Sequence, residues 1–202
     1  MSARKTPSSW KSEVKFQIVM AGVGGQGILF ATRVLAEAAL GRGLSVIGSE
    51  THGMSQRGGS VTSHLKIGGF SSPLVAPASA DFLIGLEVGE AYRCLRFLRP
   101  GSAGGEGGTL FVNAGREGFV APIREHMERA KVRFRAVDAD SSARELGSAL
   151  VANLIVLGFA GEDAGFPFSP EELTEAVRGV SPSRFRDLNL RALEEGSIAR
   201  SA

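Results

Sequence analysis

Apolar and polar positions along the chain alternate between two periods, and that switching predicts strands and helices in turn. An apolar run at residues 14–20 reads as a strand and leads into the turn Gly22-Val23-Gly24-Gly25-Gln26-Gly27. Beyond the turn, Ile28, Leu29, Ala31, Val34, Leu35, Ala38 and Ala39 recur at helical spacing, and Gly41-Arg42-Gly43 supplies a stop. Residues 44–47 predict a short second strand, and alternation over 61–67 predicts a third, closed by Gly68-Gly69. The compact run 81–86 has the look of a buried parallel strand, followed by a helix over 88–98. A glycine-rich surface connection at 100–108 precedes a strand at 109–113. Further on, the pattern predicts a helix at 121–130, a strand at 132–137 and one long apolar helix at 143–160. Ser169-Pro170-Glu171-Glu172 is an N-cap with proline at the first helical position, opening a helix through Val177, and 182–195 predicts another. Strands alternating with helices imply an α/β fold: a single domain with a mostly parallel, Rossmann-like sheet and helices on both faces.

Composition narrows the picture without changing it. The 202 residues are 43% hydrophobic and 22% charged, ordinary for one globular domain over 14–200. A net charge of +2, with no basic stripe interleaved with aromatics, argues against nucleic acid. Residues 1–13 are polar and lack an apolar segment, so a disordered tail is expected rather than a signal peptide. The apolar run at 149–160 is interrupted by Asn153 and Gly158 and is shorter than the roughly 20 residues a membrane span needs. The single cysteine, Cys94, rules out an intrachain disulfide, a four-thiolate zinc site and an iron–sulfur cluster, and its helical setting reads as a packed thiol in a reducing cytoplasm. His52, His64 and His126 lack metal-ligand spacing, so no metal site is expected.

Candidate chemistry concentrates in two glycine-rich elements. In the first, Gly22, Gly24 and Gly27 satisfy G-x-G-x-x-G at a strand-to-helix turn, where backbone N–H groups and the helix dipole favour an anion. A tight turn needs glycine even when nothing binds, so the motif has two readings. The second element, Thr51-His52-Gly53-Met54-Ser55-Gln56-Arg57-Gly58-Gly59-Ser60, is long for a plain dinucleotide domain. Gln56 offers an amide, Arg57 a planar five-donor fork and Ser60 a hydroxyl, while Gly58 and Gly59 allow close backbone approach. A phosphate, diphosphate or carboxylate suits this set. No nucleophile elbow is present, since Ser55 sits outside G-x-S-x-G spacing. An NAD(P)- or flavin-binding redox protein, with Glu50 holding the ribose hydroxyls, is the competing reading.

Together the two elements resemble the γ-type domain of the 2-oxoacid:acceptor (ferredoxin) oxidoreductases. The lead Glu50-Thr51-His52-Gly53-Met54 into Gln56-Arg57-Gly58-Gly59 is most similar to the β-subunit branch of the indolepyruvate:ferredoxin enzymes. The likeness is specific through Ile67 and continues more weakly through Ala152-Asn153 and Asn189-Leu190-Arg191-Ala192. It implies oxidative decarboxylation of a 2-oxoacid to an acyl-coenzyme A, with electrons leaving for ferredoxin. It also implies that thiamine diphosphate, Mg and iron–sulfur clusters sit on a separate, larger catalytic subunit. This chain has no glycine-aspartate-glycine segment leading to a metal-binding asparagine, and one cysteine, so it is expected to be incomplete as a catalyst. No catalytic residue is assigned to it. The cofactor-facing residues expected are Gly22, Gly24, Gly25, Gln26, Gly27, Gln56, Arg57, Gly58, Gly59 and Ser60, with coenzyme A as co-substrate. The isolated chain could form a homodimer.

Overall fold

The structure, a computed structural model, describes residues 14–53, 58–103, 105–115 and 121–199. The tail expected at 1–13 lies outside them. Six strands form one sheet: β1 (Phe16–Val23), β2 (Val46–His52), β3 (Ser60–Ile67), β4 (Phe82–Gly85), β5 (Thr109–Asn113) and β6 (Arg133–Val137), in the order β2-β3-β1-β4-β5-β6. The pairs β1–β4, β4–β5 and β5–β6 are parallel, as the βα alternation predicts. β3 runs against both β1 and β2. The fold is therefore a single mostly parallel α/β domain in which one antiparallel strand separates β1 from β2.

Both faces of the sheet are covered, and the alternation of side chains decides which residue serves which core. Ile18 and Met20 of β1, with Phe82, Ile84 and Phe111, enter one core; Val19 and Ala21, with Leu83, Leu110 and Val112, enter the other. The first face packs under α1 (Ile28–Gly41), and the second under α2 (Val88–Cys94) and α3 (Ala121–Arg129). The first face also receives α4 (Ala139–Glu145), α5 (Ala152–Gly161), α6 (Pro170–Val180) and α7 (Arg186–Ile198). Full burial of side chains such as Phe111, Phe159 and Phe168 contributes about 1.5–3 kcal/mol each. Phe16, Phe168, Phe166, Phe82, Phe111 and Phe159 meet edge-to-face at centroid distances of 5.2–6.3 Å, tying the 163–168 loop and α5 to the start of the strands. Nearby, Asp163 accepts from the Gly165 amide at 2.9 Å and pairs with Arg135 at 3.1 Å and Arg133 at 3.4 Å. Burial pushes this carboxyl up most strongly, yet the amide and the two guanidinium groups together outweigh it and hold it below the ordinary carboxylate range.

Several boundaries differ from the periodicity. The strand expected at 14–20 begins at Phe16 and continues through Gly22 to Val23, because all eight residues pair with β3. The strand expected at 44–47 runs instead from Val46 to His52, since β3 supplies partners from Ile67 down to Val61. Its polar residues Ser49, half-buried, and Glu50, exposed, hid it, and such residues suit an edge strand. The single helix expected at 143–160 is three pieces: α4, a 3-10 turn at Ala149–Val151, and α5. Gly147 takes φ 84°, a left-handed conformation that ends α4. By contrast, the cap at Ser169 forms as the sequence predicts: Glu172 N–H donates to its hydroxyl and its own N–H donates to the Glu172 carboxylate, with Pro170 at the first position.

The closest helix contact is between α5 and α7, where glycine faces backbone. A β-carbon on Gly158 would collide with the Leu193 carbonyl oxygen, and one on Gly196 with the Ile155 carbonyl oxygen. Alanine at either site gains about 1 kcal/mol of helix propensity. Forcing the backbones apart costs more, about 1–3 kcal/mol or above. Gly158→Ala and Gly196→Ala are thus each expected to lower stability by up to about 2 kcal/mol in urea unfolding, and a gain in midpoint would contradict the backbone contact.

Candidate functional site

In an open α/β sheet a ligand crevice forms beyond the carboxyl ends of the strands, where neighbouring strands send their helices to opposite faces. Here that place is between β1 and β4, because α1 follows β1 onto one face and α2 follows β4 onto the other. The first glycine-rich turn lies there. Gly27 takes φ 72° at the N-cap of α1, and any side chain at this residue would strike the Asn153 amide. That amide donates to the Gly27 carbonyl at 2.9 Å, while the Asn153 oxygen accepts from Leu154 N–H at the start of α5.

Gln26 turns inward and braces the crevice. Its side-chain oxygen accepts from Val23 N–H at 2.8 Å and its amide donates to the Leu86 carbonyl at 3.1 Å, joining the ends of β1 and β4. Asn113, at the end of β5, donates to the same Leu86 carbonyl at 3.2 Å and to Asp140 at 3.0 Å, and accepts from Ala139 N–H. Three amide side chains, Gln26, Asn113 and Asn153, thereby lock the carboxyl edge from β1 across to the start of α4 and α5.

The second glycine-rich element meets the first through strand register. Ser60 opens β3 directly opposite Val23 of β1. One step outward, Gly24 N–H donates to the Gly59 carbonyl at 2.8 Å, and Gly53 N–H donates to the Ser60 carbonyl at 2.7 Å. Gly22, Gly24, Gly25, Gln26, Gly27, Gly58, Gly59 and Ser60 thus share one corner of the sheet, whereas Gln56 and Arg57 lie outside the described residues. Gly24, Gln26 and Gly59 already spend a backbone or side-chain group on each other or on the scaffold. What remains of the corner is a surface of glycine backbone, with exposed Leu29 in the first turn of α1 beside it.

Beside this corner, on the α2 face, lies a groove of about 400 Å³ lined by Ser60, Thr62, His64, Glu90, Arg93 and Cys94 among others. The Ser60 hydroxyl donates to the buried Glu90 carboxylate at 2.6 Å, and Arg93 pairs with the other oxygen at 3.2 Å. Sequence reasoning missed Glu90; its only signal is a carboxylate on the helical face that otherwise buries Ala91 and Cys94. His64 accepts from Val75 N–H at 3.2 Å and stands edge-on to Phe97 at 5.0 Å. Burial first, then Lys66 and Arg96, hold its pKa below the ordinary 6.5. Cys94 is the packed thiol expected, and burial raises its pKa above the ordinary value against the weaker pull of Thr62 at 3.8 Å. Among the described residues no group of three or more His, Cys, Asp or Glu could hold a metal ion, and no helix is long and apolar enough to cross a membrane.

The profile of the pyruvate ferredoxin/flavodoxin oxidoreductase family matches residues 17–199. The chain belongs to this family. Among curated proteins it is 36% identical to the indolepyruvate oxidoreductase subunit IorB of Archaeoglobus fulgidus, over 91% of this chain and 94% of that one. It is 34% identical to the Thermococcus kodakarensis protein of the same name, over 90% and 94%. A 2-oxoglutarate synthase subunit, KorC of Methanothermobacter thermautotrophicus, is 28% identical over 91% and 94%. Among solved structures, the γ subunit of a keto/oxoacid ferredoxin oxidoreductase from Geobacter sulfurreducens superposes with a TM-score of 0.68 at 26% identity, covering 90% of this chain and 95% of that one. These four relatives are subunits of similar length to this chain, and the fold and the resemblance read from the two glycine elements agree.

The depressed His64 pKa has a definite sign. A histidine that resists protonation in the folded state adds stability that is fully present above 6.5 and is lost as pH falls from there through the folded value. Nuclear magnetic resonance titration is expected to place the His64 midpoint below 6.5, with stability falling over the same range; a midpoint at or above 6.5 would contradict the buried, cation-flanked setting.

Proposed function

We propose that this chain is the non-thiamine subunit of a 2-oxoacid:ferredoxin oxidoreductase of the indolepyruvate type, acting on an aryl 2-oxoacid and inactive alone. A larger partner carries thiamine diphosphate, Mg and iron–sulfur clusters, and passes electrons to ferredoxin. The chain's own residues do not fit those groups. One cysteine cannot ligate a cluster, and the described residues hold no acidic or histidine cluster for a metal. What they fit is a surface that completes the partner's active-site cleft.

The observation that carries this reading is the hydrogen bond from Gly24 N–H to the Gly59 carbonyl, which joins the two glycine elements into one corner at the switch-point crevice. Such a corner lets another backbone or an anion approach closely, and the resemblance assigns Gln56 and Arg57 to the same loop. Coenzyme A and thiamine diphosphate are both anionic, and an arginine fork suits either. In such a cleft the donors of this loop would hold the anionic groups of coenzyme A or thiamine diphosphate, while acid, base and electron-sink chemistry would belong to the partner.

The sheet order argues against an independent NAD(P) or flavin site. In a dinucleotide fold the acidic residue at the end of the second strand lies next to β1. Here β3 occupies that place, so Glu50 is one strand further out, a displacement of about 4.8 Å. Glu50 is also paired with His52 at 3.8 Å, and the Gln26 side chain spans the crevice at the switch point.

Reconstitution tests the assignment. The complex with a thiamine-bearing partner is expected to oxidise aryl 2-oxoacids in a coenzyme A-dependent way, and either subunit alone is not. Arg57→Ala is expected to raise KM for coenzyme A about tenfold, the loss of one charge-assisted contact. Unchanged kinetics would remove Arg57 from the cleft, and micromolar NAD(P) binding by the isolated chain in calorimetry would favour the redox-protein reading instead.

A further inference from the structure

We propose that Glu90 is a positioning residue: its buried carboxylate holds Ser60, and through Ser60 it fixes the closing end of the second glycine-rich element against the first. The inference deepens the functional reading above and rests on it for its kinetic consequence, though its structural part stands alone.

Glu90 is only 8% exposed. A buried carboxylate without partners is costly, so the bonds it makes define where it can sit. Among the described residues it has two side-chain partners, of which Arg93 is the weak one, being 75% exposed and screened by water. The bond from the Ser60 hydroxyl at 2.6 Å is sheltered and falls in the short range of charge-assisted contacts. Glu90 is itself rigidly placed. The Glu87 carboxylate accepts from the N–H groups of Gly89 and Glu90 at 2.9 and 2.7 Å, pinning the first turn of α2. Ala91, one residue on, packs so tightly on β4 that a β-carbon at Gly85 would come within 2.5 Å of it.

Ser60 is where the constraint is delivered. It faces Val23 in the ladder, its carbonyl accepts from Gly53 N–H, and the preceding carbonyl, Gly59, accepts from Gly24 N–H. One carboxylate on α2 therefore sets the point at which both arms of the hairpin loop and the first glycine turn are joined. Glycine-rich backbone supplies no side-chain packing of its own, so a bond from outside must fix its geometry. Glu90 acts through Ser60.

The test compares Glu90→Ala, Ser60→Ala, the double replacement and Glu90→Gln in the full chain. Without partner, amide exchange at Gly53 and Gly24 is expected to quicken at least about tenfold in Glu90→Ala, while Val23, bonded to Gln26, keeps its protection. In the reconstituted complex, Glu90→Ala and Ser60→Ala are each expected to raise KM for coenzyme A about tenfold with kcat changed less than about twofold, and the double replacement to add nothing. Glu90→Gln keeps an oxygen to accept from Ser60 and is expected to restore KM to within about threefold. Should Glu90→Ala fail to fold, Ser60→Ala and Glu90→Gln carry the comparison. Unaltered exchange at Gly53 and Gly24, or additive effects in the double replacement, overturns the proposal. A wild-type complex lacking coenzyme A-dependent activity overturns the functional reading instead, and the exchange result still decides the role of Glu90.

Discussion

The insertion of β3, antiparallel, between β1 and β2 is the constraint from which the other features follow. Because side chains alternate across a strand, a slip of one residue in the β1–β3 register would exchange the two faces of the sheet. Burial of Leu65 and Ile67 on the α1 side forbids that slip. With the register held, Ser60 stands opposite Val23, and residues 35 or more apart in sequence meet at one corner. The same insertion pushes β2 to the sheet edge and takes Glu50 away from the place a ribose-binding acid occupies. A fold that looks like a nucleotide-binding domain thus departs from that pattern at the place of the ribose-binding acid.

That surface is rigid because its supports are buried. Two apolar cores clamp β1 and β4 from both sides, and the glycine contact between α5 and α7 brings the helical layer close behind α5. From this platform Gln26, Asn113 and Asn153 project amides that satisfy the carbonyls and N–H groups at the ends of strands and helices. Each such group, left buried without a partner, costs about 1–3 kcal/mol, so these side chains fix the edge geometry as well as stabilise it. Glu90 does the same from the other face through Ser60. The corner consists of preorganised backbone and hydrogen-bonding groups.

The sequence by itself determined the α/β class, the parallel units after the first helix, the cap at Ser169 and the family resemblance. These depend on local signals: period, glycine at a tight turn, a serine three residues before a glutamate, and a motif of contiguous residues. It also marked Cys94 as a packed thiol, since a lone thiol on a helix face packs like any small apolar side chain. Element ends followed less well. β2 extends through Ser49 and Glu50 because β3 offers hydrogen bonds there, and residues 143–160 divide at Gly147 because a left-handed residue ends α4.

Only the tertiary structure decided that β3 lies between β1 and β2, that Gly24 bonds Gly59, and that Gln26 turns inward. It alone gave Glu90 and Asn113 a role. Strand order and side-chain partners are contacts between residues far apart in the chain, set by which apolar faces can be buried together, and no local pattern encodes them. The glycine motif itself shows the division: its spacing specified a turn, while the strand placed beside that turn determined what the turn could bind.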